Sequence, residues 1–187
     1  MDKTQVVDPL EPSADVWTLG HLTVGTSAIA GEGLFAGQNI AADDIVLRLG
    51  GRLVSTDELE SLMRDATAAG QYVDMITVFE DAHLVVPPGT IVHFANHSCD
   101  PSLWHDGAYD VRARRDIAAG EELTIDYGTN SGAPGFTMTC ECAAPNCRGR
   151  VTSEDWRLPD LQRRYAHHWV PALAGRIEGT ESASDVL

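Results

Sequence analysis

The chain has 187 residues, enough for about one domain with length left for an appended element. Its hydrophobic content of 43% suffices for a real core, and no apolar run reaches the roughly 18 residues that a membrane helix needs. A formal net charge of -15 opposes binding to nucleic acid and favours basic partners, although acidity also serves solubility alone.

The first segment, 1–14, is acidic, contains prolines and lacks an apolar stretch. No secretory signal is expected, and a cytoplasmic protein follows, or a nuclear one if the source has a nucleus, with a secreted effector left open. Two β-prone stretches between Asp15 and Ser27 are parted by Gly20, and a glycine-rich turn is expected over Gly31 to Gly37. Short apolar runs, Ile45 to Leu49 and Arg52 to Val54, flank Gly50-Gly51 and read as strands. A helix should start at Ser55, which can cap it, with Glu58 three positions on. Leu59, Leu62, Met63 and Ala66 then share a face, and Gly70 is a suitable stop.

Strand-like stretches return over Tyr72 to Phe79, His83 to Val86 and Thr90 to Ala95, with Pro87-Pro88-Gly89 as a breaker. Tyr109 to Arg114 alternates as a half-exposed strand does, and a turn at Ala118-Ala119-Gly120 leads into Leu123 to Tyr127. Pro159 fits a helix start, with Leu161, Tyr165 and Trp169 on one side until Pro171 ends the pattern. From Gly179 the chain is polar and expected to fray. The pattern predicts a mostly β protein of short strands with two or three peripheral helices.

The four cysteines are Cys99 and the close cluster Cys140, Cys142 and Cys147. Without a signal peptide they should stay reduced, and four thiolates suffice for a closed tetrahedral zinc site. Unconnected thiols are the plainer alternative. Lys3 is the only lysine among many arginines, a bias that a GC-rich genome explains.

Three segments carry a family resemblance. Asn96-His97-Ser98-Cys99-Asp100-Pro101 resembles the NHSCxP core of SET domains, and Gly120 to Gly128 (GEELTIDYG) is similar to their GEELTxDYG segment. Gly31-Glu32-Gly33-Leu34-Phe35-Ala36 is similar to their glycine-rich opening. Cys140-x-Cys142-x4-Cys147 resembles the post-SET element, whose cysteines join that of NHSC on one zinc ion. The resemblance implies a SET domain over 15–138, a post-SET element over 139–150 and a helical extension over 151–187. The implied fold is a set of small β-sheets with a pseudoknot that brings Asn96 and His97 beside Tyr127.

The implied activity is transfer of a methyl group from S-adenosylmethionine to a protein lysine, on histones or other basic proteins. Tyr127 takes the place of the catalytic tyrosine. Asn96 and His97 would hold the cofactor, the first by its amide and the second chiefly by backbone groups. Gly31, Glu32, Gly33 and Leu34 would let backbone approach it. Cys99, Cys140, Cys142 and Cys147 would hold a structural zinc. Ser102 departs from the usual asparagine, and Ile125 from the usual Phe or Tyr; without a ring hydroxyl there, di- or trimethylation is expected. Tyr72 and Phe79 are candidates for the second wall of the lysine channel, and Trp104 and Trp156 for covering the site. A zinc-stabilised module that keeps the fold without activity is the second reading, and a zinc-containing nucleic-acid binder is disfavoured by charge. Oligomeric state is left open.

Overall fold

The structure, a computed structural model, describes residues 11–133 and 135–184, with side chains to residue 180. Lys3 and most of the 1–14 tail lie outside the described residues.

The first third is built from β1 (Trp17–Thr18), β2 (Leu22–Thr26), β3 (Glu32–Ala36), β4 (Ile45–Arg48) and β5 (Arg52–Val54). Helix α1 (Thr56–Ala68) follows, then β6 (Met75–Phe79), β7 (Ala82–Val85), β8 (Leu103–Asp106), β9 (Asp110–Ala113) and β10 (Glu122–Leu123). A hairpin of β11 (Thr137–Thr139) and β12 (Arg150–Thr152) precedes α2 (Pro159–Tyr165) and α3 (Pro171–Ser184). The strands form four small sheets, ordered β1-β4-β9-β8, β10-β3-β2, β5-β7-β6 and β11-β12. The mostly β architecture with short helices is therefore as the sequence implies.

The glycine-rich segment expected as a turn is largely strand. β3 pairs with β2 from Leu22 opposite Ala36 to Thr26 opposite Glu32, and only Gly31, at φ +50, makes the turn. Thr90 to Ala95 is no strand: Ile91–Phe94 is a 3-10 turn whose His93 and Ala95 amides donate to Thr90 and Val92 carbonyls. Its backbone groups are satisfied locally, which outweighs the β preference of the apolar run. Pro171 ends one helical pattern but starts the next, since proline suits a helix's first turn, and α3 runs on through Ser184 rather than fraying at Gly179. At α1 the expectation holds, with Ser55 accepting the Glu58 amide at 3.3 Å.

One core joins the sheets to the C-terminal extension. Leu34, Leu47, Val111 and Leu123 share it with Leu161, Tyr165, Trp169 and Leu173. The apolar face of the extension therefore has its partner within the chain. Trp156 is buried there too, and Trp104 stacks on His168 with centroids 3.5 Å apart. Neither is among the residues that line the apolar cavity beside Tyr127.

Candidate functional site

Two distant segments meet side by side. A parallel bridge sets His97 against Ile125, the Ile125 amide donates to the Asn96 carbonyl at 3.0 Å, and the Ser98 amide to the Ile125 carbonyl at 3.1 Å. Two residues on, Tyr127 donates its amide to His97 Nδ1 at 3.1 Å, with ring centroids 5.4 Å apart. Accepting there leaves the His97 proton on Nε2, which lies 3.4 Å from Cys99 Sγ. Burial lowers the His97 pKa despite Asp126 nearby, so the ring is neutral. Its side chain thus ties the tyrosine segment to a cysteine, beyond the backbone role that the resemblance implied.

Asn96 is used as a clamp. Its amide nitrogen donates to the carbonyls of Ala30 (3.1 Å) and Glu32 (3.0 Å) and to Glu122 Oε1 (3.0 Å), so it holds the start of β3. Gly31 and Glu32 are exposed there, while Gly33 and Leu34 are buried. Glu122, which sequence reasoning missed, also accepts from the Ser27 hydroxyl at 2.8 Å. A Cβ on Gly33 would stand 2.4 Å from Glu122 Oε1, so any side chain there has to displace that carboxylate.

The Tyr127 hydroxyl donates to the Ala95 carbonyl at 3.0 Å. Burial first, then the charges of Asp74 and Tyr72, push its pKa up, so it stays a neutral phenol. Tyr127 and Ile125 line a mainly apolar cavity of about 510 Å³. Tyr72 stands at its mouth, 85% exposed, whereas buried Leu103 and Val111 form its inner end. Asp74 is the carboxylate of this lining, bonded to His93 Nδ1 at 2.6 Å. His105 is fully buried in the lining, with Nε2 at 3.2 Å from the Asn130 amide and no partner for Nδ1. Burial lowers its pKa to about 4. Phe79, a candidate for the channel wall with core packing as the plainer reading, does not line this cavity: it packs, partly buried, against the main core and borders a second hollow with Pro171 and Ala172 of α3.

The four cysteines converge. Their sulfurs all lie within 4.8 Å of one another, with Cys99 to Cys140 at 3.7 Å and Cys140 to Cys147 at 3.6 Å. A tetrahedral ion with metal–sulfur bonds of about 2.3 Å puts its sulfurs roughly 3.8 Å apart, so the cage fits. Amides support it: Cys99 N–H points at Cys142 Sγ (3.4 Å), Arg148 N–H at Cys99 Sγ (3.3 Å) and Gly149 N–H at Cys147 Sγ (3.4 Å). Burial pushes the Cys99 thiol up to about 11, whereas amides of Cys99 and Ala144 bring Cys142 down to about 7 against its own burial. Four thiolates in so small a space need a cation to neutralise them. From the same hairpin Arg148 reaches back, forking onto both Asp126 oxygens at 2.7 Å and onto Asp155 at 3.0 Å.

The family model described as SET domain matches residues 31–128, more than half of the chain. The chain belongs to the SET-domain family. Among its relatives, the histone-lysine N-methyltransferase ATX2 of Arabidopsis thaliana is 34% identical over 149 residues, covering 72% of this chain and 13% of that protein. The histone H3-lysine(4) N-trimethyltransferase ATX1 of the same plant is 33% identical over 148 residues, covering 72% of this chain and 14% of its own length. The histone-lysine N-methyltransferase 2B of Homo sapiens is 33% identical over 132 residues, covering 65% of this chain and 5% of its own. The chain thus spans a small fraction of these relatives. The SET match runs from the turn at Gly31 to Gly128, so it holds every residue of the Asn96–Tyr127 junction and leaves the cysteine hairpin and the C-terminal helices beyond its end.

Proposed function

We propose that the chain is a protein-lysine N-methyltransferase that uses S-adenosylmethionine and acts on a basic protein, a histone or another lysine-bearing segment. The observation that carries this reading is Tyr127 on the wall of an apolar cavity, its backbone amide donating to His97 and its neutral phenol to the Ala95 carbonyl. When bound, S-adenosylmethionine supplies a methyl group on a sulfonium, which departs as a neutral thioether. Positioning is then most of the catalysis. The Tyr127 hydroxyl, its proton spent on Ala95, offers lone pairs to an amine N–H and so turns the nitrogen lone pair toward the methyl. The apolar walls favour a neutral amine, whose pKa in water is about 10.4, and its proton leaves to solvent. A phenolate base has no support, since burial disfavours it.

Gly31, Glu32, Gly33, Leu34, Asn96 and His97 would form the cofactor pocket, with Asn96 fixing the β3 backbone against it. The four cysteines would hold one zinc ion with no open position, which makes it structural. Ile125 has no hydroxyl to crowd a growing amine, which supports di- or trimethylation. The net charge of -15 supports a basic partner over nucleic acid. Calorimetric titration with S-adenosylmethionine tests the cofactor site. Saturable binding with one site per chain is expected; no binding would leave a SET-like module that only binds protein.

A further inference from the structure

The family match ends at Gly128, yet the turn that carries Tyr127 is gripped from a helix far beyond it. Asp126, 1% exposed, opens that turn: its Oδ1 accepts the Gly128 amide at 2.9 Å, and its carbonyl accepts the Thr129 amide (2.9 Å) and hydroxyl (2.7 Å). Its Oδ2 accepts the Tyr165 hydroxyl at 2.8 Å beside the Arg148 guanidinium. Tyr165 ends α2, is fully buried, and meets Trp169 edge-on with centroids 5.7 Å apart. Burial, then the Asp126 charge, raise its pKa, so the phenol remains a donor. The preceding residue, Arg164, donates to the Cys99 carbonyl at 2.9 Å. The last turn of α2 therefore grips the residue before Tyr127 and a residue of the cysteine cage at once.

We propose that Tyr165 is a positioning residue for methyl transfer: its hydroxyl fixes the Asp126 carboxylate, and with it the direction in which Tyr127 presents its phenol to the cavity. The role rests on the methyltransferase reading. With the hydroxyl removed, Arg148 and the Gly128 amide still hold Asp126, and a phenyl ring still fills the core. The fold survives while the turn gains freedom, and displacement of a reacting group by about 1 Å can cost on the order of 100-fold in rate.

The test compares Tyr165→Phe with Leu161→Ala, a buried change on the same helix. The readouts are kcat, KM for S-adenosylmethionine and for a histone mixture, thermal stability, and hydrogen exchange at the Gly128 amide. Tyr165→Phe should lower kcat about tenfold or more, leave both KM values within about twofold, and speed Gly128 exchange at least about tenfold. Leu161→Ala should lose stability with kcat within about twofold of wild type. A Tyr165→Phe kcat within twofold of wild type, or a kcat loss that Leu161→Ala reproduces, would overturn the role. If wild type transfers no methyl and binds no S-adenosylmethionine, the functional reading fails by itself. Gly128 exchange then still decides whether Tyr165 holds the turn, and an unchanged rate would overturn that.

Discussion

Glu122 Oε1 accepts from both Ser27 and Asn96, in the space where a side chain on Gly33 would have to go. Gly33→Ala must displace that carboxylate and loosen Asn96, so affinity for S-adenosylmethionine should fall about tenfold, roughly 1.4 kcal/mol. Titration of the variant checks this, and unchanged affinity would remove Asn96 and Glu122 from the cofactor pocket. Ile125→Tyr should shorten the product series toward monomethyl-lysine, read from product masses; a wild type that stops at one methyl would already contradict the role given to Ile125. The residues legible in the sequence were those inside contiguous motifs, Asn96, His97, Tyr127 and the cysteines. Their roles were legible less fully, because the bonds run across the fold: His97 to Cys99 and Tyr127, Asn96 to Glu122 and β3. Asp74, His93 and His105 line the cavity from separate elements, and no local pattern marks them. Phe79 packs against the core rather than lining the cavity, and an aromatic at a strand end carries no local sign of which.

Among the elements, the β11–β12 hairpin joins the cysteine cage to the Tyr127 turn through Arg148. Its guanidinium is the counter-charge to Asp126 and Asp155, both buried. Arg148→Ala leaves two buried carboxylates without it and should cost about 3–5 kcal/mol in denaturant unfolding, whereas a loss under 1 kcal/mol would mean that water replaces the fork at about the strength of a surface pair. Chelation should release one zinc per chain, loosen the hairpin and lower activity indirectly through Cys99, Arg148 and Asp126. Full activity after verified metal removal would contradict a structural zinc. Strand and helix spans were largely readable from period and caps, as at α1. The β3 strand and the 3-10 turn at Ile91–Phe94 were not, since glycine content and β preference gave way to pairing partners and local bonds that lie outside any short window.

Across the whole molecule, the extension closes the core, with Trp169 and Tyr165 among its largest fully buried side chains. That Leu161, Tyr165 and Trp169 needed a partner was legible from their spacing, but not that the partner is the SET core and the Asp126 turn. Acid should destabilise this core. His105 has its folded pKa lowered from 6.5 to about 4 by burial, so the unfolded chain binds a proton first and stability falls as pH drops from about 6.5 to about 4. Between pH 7 and 5 this one group accounts for about 2 kcal/mol. His105→Gln should flatten the unfolding free energy by about that amount over the same range, and an unaltered slope would place the acid sensitivity elsewhere. Added salt should raise KM for a basic protein substrate more than KM for the cofactor, because the field of an acidic chain is screened.

The most direct measurement is the intact mass of histones and other basic proteins after incubation with S-adenosylmethionine and either wild type or Tyr127→Phe. The expected result is a gain in whole methyl steps, going beyond one step, with wild type. Tyr127→Phe should bind the cofactor yet give about a hundredfold less product, the loss expected when one positioned polar group is removed. No gain on any substrate together with no cofactor binding, or an equal gain from both proteins, would contradict methyl transfer at Tyr127.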